Sequence, residues 1–196
     1  MRDDIFKVQV KYHCNIDKLM FTHLTHPVID FAKQKNLTPN HITTLSFISQ
    51  LMAISFLSYD YKKMYTCLYL LGYYFDCIDG PMARKYNMIT KFGDWYDHVT
   101  DILCCCLANL VYVYKYNFFE HYIIVALYVF FFSGLMVYIG CQETIFNKGL
   151  KNEKQKSESL ILTTKLIKNE EENYKKFVYF SVTNCAVLYS ITPHFI

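Results

Sequence analysis

The chain has 196 residues, enough for one domain built from a few packed helices. Its residues are 53% hydrophobic and 18% aromatic, and long apolar runs alternate with short clusters of Lys, Asn and Glu. This distribution is typical of an integral membrane protein. The net charge of +3 is small and scattered, so it does not indicate a nucleic-acid partner.

The eight cysteines follow neither a disulfide framework nor a zinc-binding spacing. Three of them are consecutive, from Cys104 to Cys106, and on a helix their side chains point about 100° apart, so they cannot all reach one metal. We interpret them as small apolar residues of a lipid-facing or packed helix. The first forty residues are charged, so we expect no signal peptide.

Apolar residues recur at intervals of three and four between Asn15 and Lys33, and polar residues fill much of the other side. This pattern predicts an amphipathic helix that lies on the membrane surface and bends at Pro27. A helix that covers a soluble core is the alternative, but the rest of the chain offers no soluble core.

Five apolar segments are long enough to cross a hydrocarbon core of ~30 Å at about 1.5 Å per residue. In chain order they are His41–Ser58, Met64 to about Tyr86, about Trp95 to Tyr114, Tyr122 to about Cys141, and Phe177–Ile196. A polar stretch, Gln142–Lys176, precedes the last one, and Ser157–Lys168 within it has the pattern of a short interfacial helix. The expected fold is therefore all-α, a polytopic transmembrane helix bundle with about five spans.

Lysine and arginine predict the orientation of this bundle. If the N-terminus is cytoplasmic, 17 of the 20 basic residues lie on that side and only Lys62, Lys63 and Lys115 lie on the other. The positive-inside rule then places the N-terminus, and the loop between the second and third spans, in the cytoplasm.

Acidic residues interrupt the second and third spans, although a carboxylate costs roughly 2.5–3.5 kcal/mol at the bilayer centre. Asp76 and Asp79 are three residues apart, and Asp97 and Asp101 are four apart, so each pair shares a helix face. Because the second span ends and the third begins on the same side of the membrane, we expect all four acids to lie at the same depth in the bilayer. Asp94 belongs to neither pair, and we interpret it as a solvated or helix N-terminal acid favoured by the helix dipole.

Four carboxylates facing one another repel strongly in a low-dielectric site, and divalent cations remove that repulsion. Oxygen ligands favour Mg²⁺, Mn²⁺ or Ca²⁺ over zinc. A pair of metal ions is a recurrent device for displacement at phosphorus. We therefore predict a divalent-metal site at these acids.

Small residues accompany the acids. Gly80 and Ala83 share the acidic face of the second span, and Gly93 opens the third. Small side chains let a bulky diphosphate approach the backbone, and Arg84, one turn after Gly80, can make a bidentate contact with a phosphate.

Together these residues form the pattern Asp76-x-x-Asp79-Gly80-x-x-Ala83-Arg84, eight residues, Gly93-x-x-x-Asp97-x-x-x-Asp101. The pattern resembles the signature of the CDP-alcohol phosphotransferase (class-I CDP-alcohol phosphatidyltransferase) family at every position and in both gaps. A looser resemblance covers Thr38-Pro39-Asn40-x-x-Thr43, which is similar to the segment that leads into the family's first span. The family usually has six spans, one more than we count here.

The resemblance implies that a substituted phosphoryl group is transferred from a CDP-alcohol to an acceptor hydroxyl and that CMP is released. It also implies two divalent ions, Mg²⁺ or Mn²⁺, as the cofactor. By position, Asp76, Asp79 and Asp97 look like metal ligands, and Asp101 looks like the last ligand, the catalytic base, or both. The nucleotide-binding positions are then Gly80, Ala83, Arg84 and Gly93.

We treat residues 1–196 as a single membrane-embedded domain of this kind. Residues 1–40 form a cytoplasmic interfacial segment, 41–141 the catalytic spans, and 142–196 a polar linker and the last span. The expected partners are the CDP-alcohol donor, an alcohol or lipid acceptor and membrane lipids, with a possible homodimer and no nucleic acid. The expected location is an endomembrane of the ER type or a host membrane, with the active site facing the cytoplasm.

Several alternatives stay open. The short chain favours CDP-diacylglycerol as donor, whereas Tyr96-Asp97-His98 is similar to the choline and ethanolamine phosphotransferases, which use CDP-choline or CDP-ethanolamine with diacylglycerol. A cation transporter would explain the acids, but Arg84 beside a cation path is unfavourable. An inactive structural relative is the remaining alternative, and the intact signature argues against it.

Overall fold

The computed structural model describes residues 19–149 and 170–196, and within these ranges the chain is helical with no β-strand. The α-helices are α1 (His26–Gln34), α2 (Pro39–Ser58), α3 (Lys62–Lys85), α4 (Lys91–Tyr116), α5 (Tyr122–Gly149), α6 (Glu170–Lys176) and α7 (Val182–Ile191). The all-α prediction is confirmed. The predicted interfacial helix at Ser157–Lys168, and residues 15–18 of the predicted N-terminal helix, lie outside the described residues.

Local signals set the helix boundaries a few residues outside the predicted ones. α2 begins at Pro39, which has the fixed φ of a first helical residue, and the Thr38 N–H donates to Nδ1 of His41 at 3.0 Å. α4 begins at Lys91 because the Thr90 side chain accepts from the N–H of Gly93 at 2.9 Å.

The N-terminal helix changes geometry close to its proline. A π-helical turn, Met20–Thr25, leads into α1, and Pro27 is the second residue of α1. Proline has no N–H to donate to the preceding turn, and a wider turn is a common way to accommodate that loss. The helical part of the N-terminal prediction is therefore confirmed for residues 19–33, and the helix continues to Gln34.

Within residues 19–149 and 170–196, three helices are long and apolar enough to cross a membrane: Pro39–Ser58, Lys91–Tyr116 and the Tyr122–Gln142 part of α5. The second predicted span is helical throughout as α3, but its acids and tyrosines reduce its apolar character. The expected continuous fifth span is not observed. Ser181 has an extended ψ of 154° and separates a 3₁₀ turn, Val178–Phe180, from the ten-residue α7.

Contacts divide the described chain into two compact units, residues 19–26 with 128–149 and 170–185, and residues 27–127 with 186–196. In the second unit α2 packs against both α3 and α4. Buried Ile29, Ile42 and Ile78 join α1, α2 and α3, while Ile54 and Ala108 join α2 and α4. α2 is thus the helix around which the acid-bearing helices are organised.

The loop between α2 and α3 is held by the end of α4. The ammonium of Lys115 donates to the carbonyl of Ser58 at 2.6 Å, and the hydroxyl of Tyr116 donates to Asp60 Oδ1 at 2.7 Å. The Tyr116 hydrogen bond, together with the positive charges of Lys115 and Lys62, lowers the pKa of Asp60.

In the first unit, aromatic residues form the core. The rings of Tyr138 and Tyr174 stack with centroids 4.8 Å apart, and their buried hydroxyls are 2.8 Å apart. Phe180 lies directly on Gly134, where a β-carbon would be 2.2 Å from the phenyl ring. Glycine therefore allows the close approach of the two chain segments.

Candidate active site

Three of the four predicted metal ligands meet between α3 and α4. One carboxylate oxygen from each of Asp76, Asp97 and Asp101 lies within 4.8 Å of the others. The i, i+4 spacing puts Asp97 and Asp101 on one face of α4, and that face meets Asp76 of α3. Asp76 and Asp97 are half-buried, whereas Asp101 is exposed.

The chemistry and spacing of these oxygens fit a hard divalent cation. An octahedral Mg²⁺ holds its ligands at about 2.0–2.1 Å, so oxygens on opposite sides of the ion are about 4.2 Å apart. Adjacent ligand oxygens of such an ion are about 2.9 Å apart, so rotation of the side chains would have to bring the three oxygens, which lie within 4.8 Å of one another, closer together. Carboxylate oxygens are also the donors that Mg²⁺ and Mn²⁺ prefer.

Asp79 is buried beside this cluster and bonded to α2. The hydroxyl of Thr43 donates to Asp79 Oδ2 at 2.6 Å. Asp79 is 6% exposed and Thr43 is 4% exposed. The predicted fourth ligand therefore lies outside the three-oxygen cluster found among the described residues, and one of its oxygens is engaged by a neighbouring helix.

The arginine of the site folds back along its own helix. The Arg84 guanidinium lies over Gly80, with Nη2 at 3.2 Å and Nη1 at 3.3 Å from the place where a β-carbon of residue 80 would be. Gly80 thus makes room for Arg84, a relationship that the sequence prediction did not include. Ala83 is half-buried on the same helix, and its carbonyl accepts from the N–H of Met88 at 2.8 Å.

Gly93 allows α2 to approach the start of α4. A β-carbon at this position would be 3.0 Å from Asn40 Oδ1 and 3.0 Å from Thr90 Oγ1. The sequence prediction explained Gly93 by access for a nucleotide. The structure adds the close contact with Asn40 as a second reason for a glycine here.

Two further polar residues of α4, Asp94 and His98, lie outside the cluster. Asp94 is exposed in the first turn, and Nδ1 of His98 lies 2.6 Å from the Asp94 carbonyl oxygen. His98 thus contacts its own helix. Among the described residues the metal-compatible cluster contains neither Asp94 nor His98.

The basic residue after Arg84 is engaged by α1. Asp30 pairs with the ammonium of Lys85 and accepts a hydrogen bond from the hydroxyl of Tyr86 at 2.7 Å. Lys33 also lies over the Tyr86 ring, 5.3 Å from its centroid. These contacts join the surface helix to the end of α3 that carries Arg84.

The sequence prediction assigned no role to the polar residues at the start of α2. Asn40 contacts Gly93, Thr43 bonds Asp79, and Thr44 Oγ1 lies 3.1 Å from the hydroxyl of Tyr96. The signal was present in Thr38-Pro39-Asn40-x-x-Thr43, since a helix that starts at Pro39 puts these side chains on the first two turns. The sequence did not indicate that these turns face the acid-bearing helices α3 and α4.

Fold and site together define a helical membrane protein with a carboxylate cluster between two of its helices. The chain belongs to the CDP-alcohol phosphatidyltransferase family, whose sequence model matches residues 36–167. This range includes the acids and the start of α2.

Individual relatives match over a shorter range. The chain is 32% identical over 84 residues to an uncharacterised protein of Aquifex aeolicus, covering 43% of each chain. It is 30% identical over 93 residues to a probable CDP-diacylglycerol–inositol 3-phosphatidyltransferase of Arabidopsis thaliana, covering 43% of this chain and 41% of the relative. It is 30% identical over 86 residues to a CDP-diacylglycerol–glycerol-3-phosphate 3-phosphatidyltransferase of Rickettsia typhi, covering 42% and 48%.

These matches thus span less than half the length of the curated relatives. No solved structure gives a significant match to the chain.

Proposed function

We propose that this protein transfers a phosphatidyl group from CDP-diacylglycerol to the hydroxyl of an alcohol and releases CMP. The observation that carries this proposal is the set of three carboxylate oxygens within 4.8 Å, inside the part of the chain that matches the family. The two relatives with named activities are both called CDP-diacylglycerol phosphatidyltransferases, which favours this donor.

In this proposal Asp76, Asp79, Asp97 and Asp101 hold two divalent ions, Mg²⁺ or Mn²⁺. Bound ions would neutralise the diphosphate and stabilise the CMP leaving group. The spacing of the Asp76, Asp97 and Asp101 oxygens supports their roles as ligands. Asp79 would complete the set from its position beside Thr43.

Asp101 has a second role as the general base. It is the exposed member of the cluster, so an acceptor hydroxyl can reach it, whereas Asp76 and Asp97 are half-buried. A carboxylate here would take the hydroxyl proton as the oxygen attacks the β-phosphorus of the donor. Such a base commonly contributes about 10²–10⁴-fold to the rate.

Arg84 binds the diphosphate of the donor, and Gly80, Ala83 and Gly93 leave space for the nucleotide. The planar guanidinium can hold two phosphate oxygens at once. The guanidinium lies over Gly80, which follows Asp76 by one helical turn.

The active site opens to the cytoplasm, and the expected location is an endomembrane of the ER type or a host membrane. The 17 basic residues on one side of the predicted topology support this orientation. The partners are the donor, the acceptor alcohol and membrane lipids. A homodimer is compatible with this account and is not required by it.

A panel of substrates tests the proposal. Purified full-length protein in lipid nanodiscs is given CDP-diacylglycerol, CDP-choline or CDP-ethanolamine, each with inositol, glycerol 3-phosphate or diacylglycerol, and CMP is measured. We expect CMP only from CDP-diacylglycerol with a water-soluble acceptor. Release from CDP-choline or CDP-ethanolamine with diacylglycerol would instead support the choline/ethanolamine alternative, and release from no combination would contradict the transferase proposal.

A further inference from the structure

We propose that Thr43 is a positioning residue, whose hydroxyl holds the Asp79 carboxylate in one orientation and thereby raises the affinity of the acidic cluster for a divalent cation. This inference rests on the proposed function. It assigns a role to a helix, α2, that contributes none of the four predicted ligands.

The geometry identifies Asp79 as the acceptor of the Thr43 proton. The hydroxyl has one proton, and its two possible acceptors are Asp79 Oδ2 at 2.6 Å and the Pro39 carbonyl at 3.2 Å. The shorter distance is that of an ordinary O–H···O hydrogen bond, whereas 3.2 Å lies beyond that range. Because the terminal torsion of aspartate is otherwise broad, a donor fixed to one oxygen narrows the orientation of the whole carboxylate.

Burial makes this donor hard to replace. Thr43 is 4% exposed and Asp79 is 6% exposed, so a water molecule has little access to the space that the hydroxyl occupies. A carboxylate oxygen that loses a buried donor pays the cost of its own desolvation. Valine has nearly the shape of threonine and no hydroxyl, so Thr43→Val removes the donor with little change in packing.

The position of Thr43 in the fold supports a role in alignment. α2 packs against both acid-bearing helices, and its first turns contact each of them. Thr43 bonds Asp79 of α3, while the adjacent Thr44 lies 3.1 Å from the hydroxyl of Tyr96 on α4. A displacement of α2 would therefore be transmitted to the acids of both helices.

The alternative is that Thr43 only stabilises the start of α2 through its contact with Pro39. In that case, removal of the hydroxyl would change thermal stability and leave metal affinity unchanged. Residues that orient metal ligands behave differently, because their loss typically costs about 10- to 100-fold in metal affinity. Metal binding without substrate therefore separates the two roles.

The experiment measures Mn²⁺ binding by electron paramagnetic resonance, with full-length protein in lipid nanodiscs and no nucleotide. The variants are Thr43→Val, Thr43→Ser and Asp79→Asn. Thr144→Val is the matched control, since the Thr144 hydroxyl donates to the Gly140 carbonyl of its own helix at 2.8 Å. We expect Thr43→Val to weaken Mn²⁺ binding by about 10- to 100-fold, and Thr43→Ser and Thr144→Val to bind as the wild type does.

A double variant tests whether Thr43 acts through Asp79. If it does, Thr43→Val adds no loss to that of Asp79→Asn, because the partner that it orients is already absent. Should Thr43→Val fail to fold, Thr43→Ala against Thr43→Ser gives the same comparison, since serine retains the donor and alanine does not.

Two results would overturn the inference, and they are distinguishable. Wild-type affinity in a folded Thr43→Val or Thr43→Ala protein, together with weak binding by Asp79→Asn, removes the role of Thr43 and leaves the proposed function intact. If the wild type shows no saturable Mn²⁺ binding, the metal-dependent function itself is contradicted, and the role of Thr43 in metal affinity is contradicted as well.

Discussion

The guanidinium of Arg84 lies over Gly80, with its two terminal nitrogens 3.2 and 3.3 Å from where a β-carbon of residue 80 would be. In a helix, residues four apart are neighbours on the same face, so the pair is local to α3. The absent side chain of Gly80 is therefore part of what sets the position of Arg84. The effects of substitutions at Gly80 and Arg84 can therefore be tested singly and in combination.

We expect Arg84→Lys to raise the KM for the CDP-alcohol donor, with the acceptor KM nearly unchanged. Lysine keeps the charge but cannot hold two phosphate oxygens in one plane. Loss of a charge-assisted contact of this kind commonly costs about 1.5–3 kcal/mol, roughly ten- to a hundredfold. Equal defects toward donor and acceptor, or unchanged donor kinetics in a folded protein, would assign Arg84 a structural role.

Gly80→Ala should produce a smaller defect of the same kind, because the guanidinium must move by a few tenths of an ångström. If Gly80→Ala raises the donor KM because it displaces the Arg84 guanidinium, the double variant Gly80→Ala/Arg84→Lys should have nearly the same donor KM as Arg84→Lys alone. Steady-state kinetics of the two single variants and the double variant check this. Additive losses would show that Gly80 has a separate contact with the nucleotide.

Asp97→Asn and Asp101→Asn should abolish CMP formation, whereas Asp94→Asn should retain it. Asp97 and Asp101 belong to the three-oxygen cluster, and an amide cannot replace a bridging carboxylate. Loss of the base alone predicts a fall of about 10²–10⁴-fold for Asp101→Asn. Asp94 is exposed on the same helix and serves as the matched control.

The assignment of Asp97 and Asp101 as essential acids depends on this difference from Asp94. Full activity of Asp101→Asn, or a loss confined to Asp94→Asn, would contradict it. Each variant needs a measured thermal midpoint, so that a lost activity is separated from a lost fold.

The orientation prediction can be checked with single cysteines in a background lacking the eight native ones. Ile89 in the loop between α3 and α4 is 47% exposed, and Tyr59 at the opposite end of α2 is 76% exposed. Ile89 is preferable to its neighbour Asn87, whose φ of 54° disfavours most other side chains.

If the site faces the cytoplasm, Ile89→Cys should react with a membrane-impermeant thiol reagent only from the cytoplasmic side. Tyr59→Cys should react only from the other side. The reverse pattern would mean that the bundle is inverted.

Gly134→Ala should destabilise the protein, because its β-carbon would overlap the ring of Phe180 at 2.2–2.6 Å. Overpacking of this kind typically costs about 1–3 kcal/mol. Phe180→Ala should itself be destabilising, but Gly134→Ala should cost little more in that background, since the obstructing ring is gone. Thermal midpoints in one detergent measure all three variants, and equal costs in both backgrounds would contradict the direct contact.

Long apolar runs made α2, α4 and α5 predictable to within a few residues, except at the C-terminal end of α5. The shared face of the two acids on α4 was also predictable from their i, i+4 spacing, whereas Asp79, the i, i+3 partner on α3, lies outside the three-oxygen cluster. The break at Ser181 was not, because hydropathy is similar on both sides of it and its ψ of 154° reflects local geometry. The contact of Thr43 depends on the rotation of α2 against α3, which no spacing within one segment determines, and the contact of Arg84 depends on the rotamer of a long side chain within α3.

Transfer of labelled phosphorus tests the central claim most directly. Full-length protein in nanodiscs is given CDP-diacylglycerol labelled with ³²P at the β-phosphorus, an acceptor alcohol, and either Mg²⁺, Mn²⁺ or a chelator. The account predicts that the label appears in a phospholipid product in equal amounts with unlabelled CMP, only when a divalent ion is present, and not with Asp101→Asn. Two results would contradict the proposed transfer. One is that no acceptor gives more labelled phospholipid than the Asp101→Asn background, and the other is that the label is found in the released nucleotide.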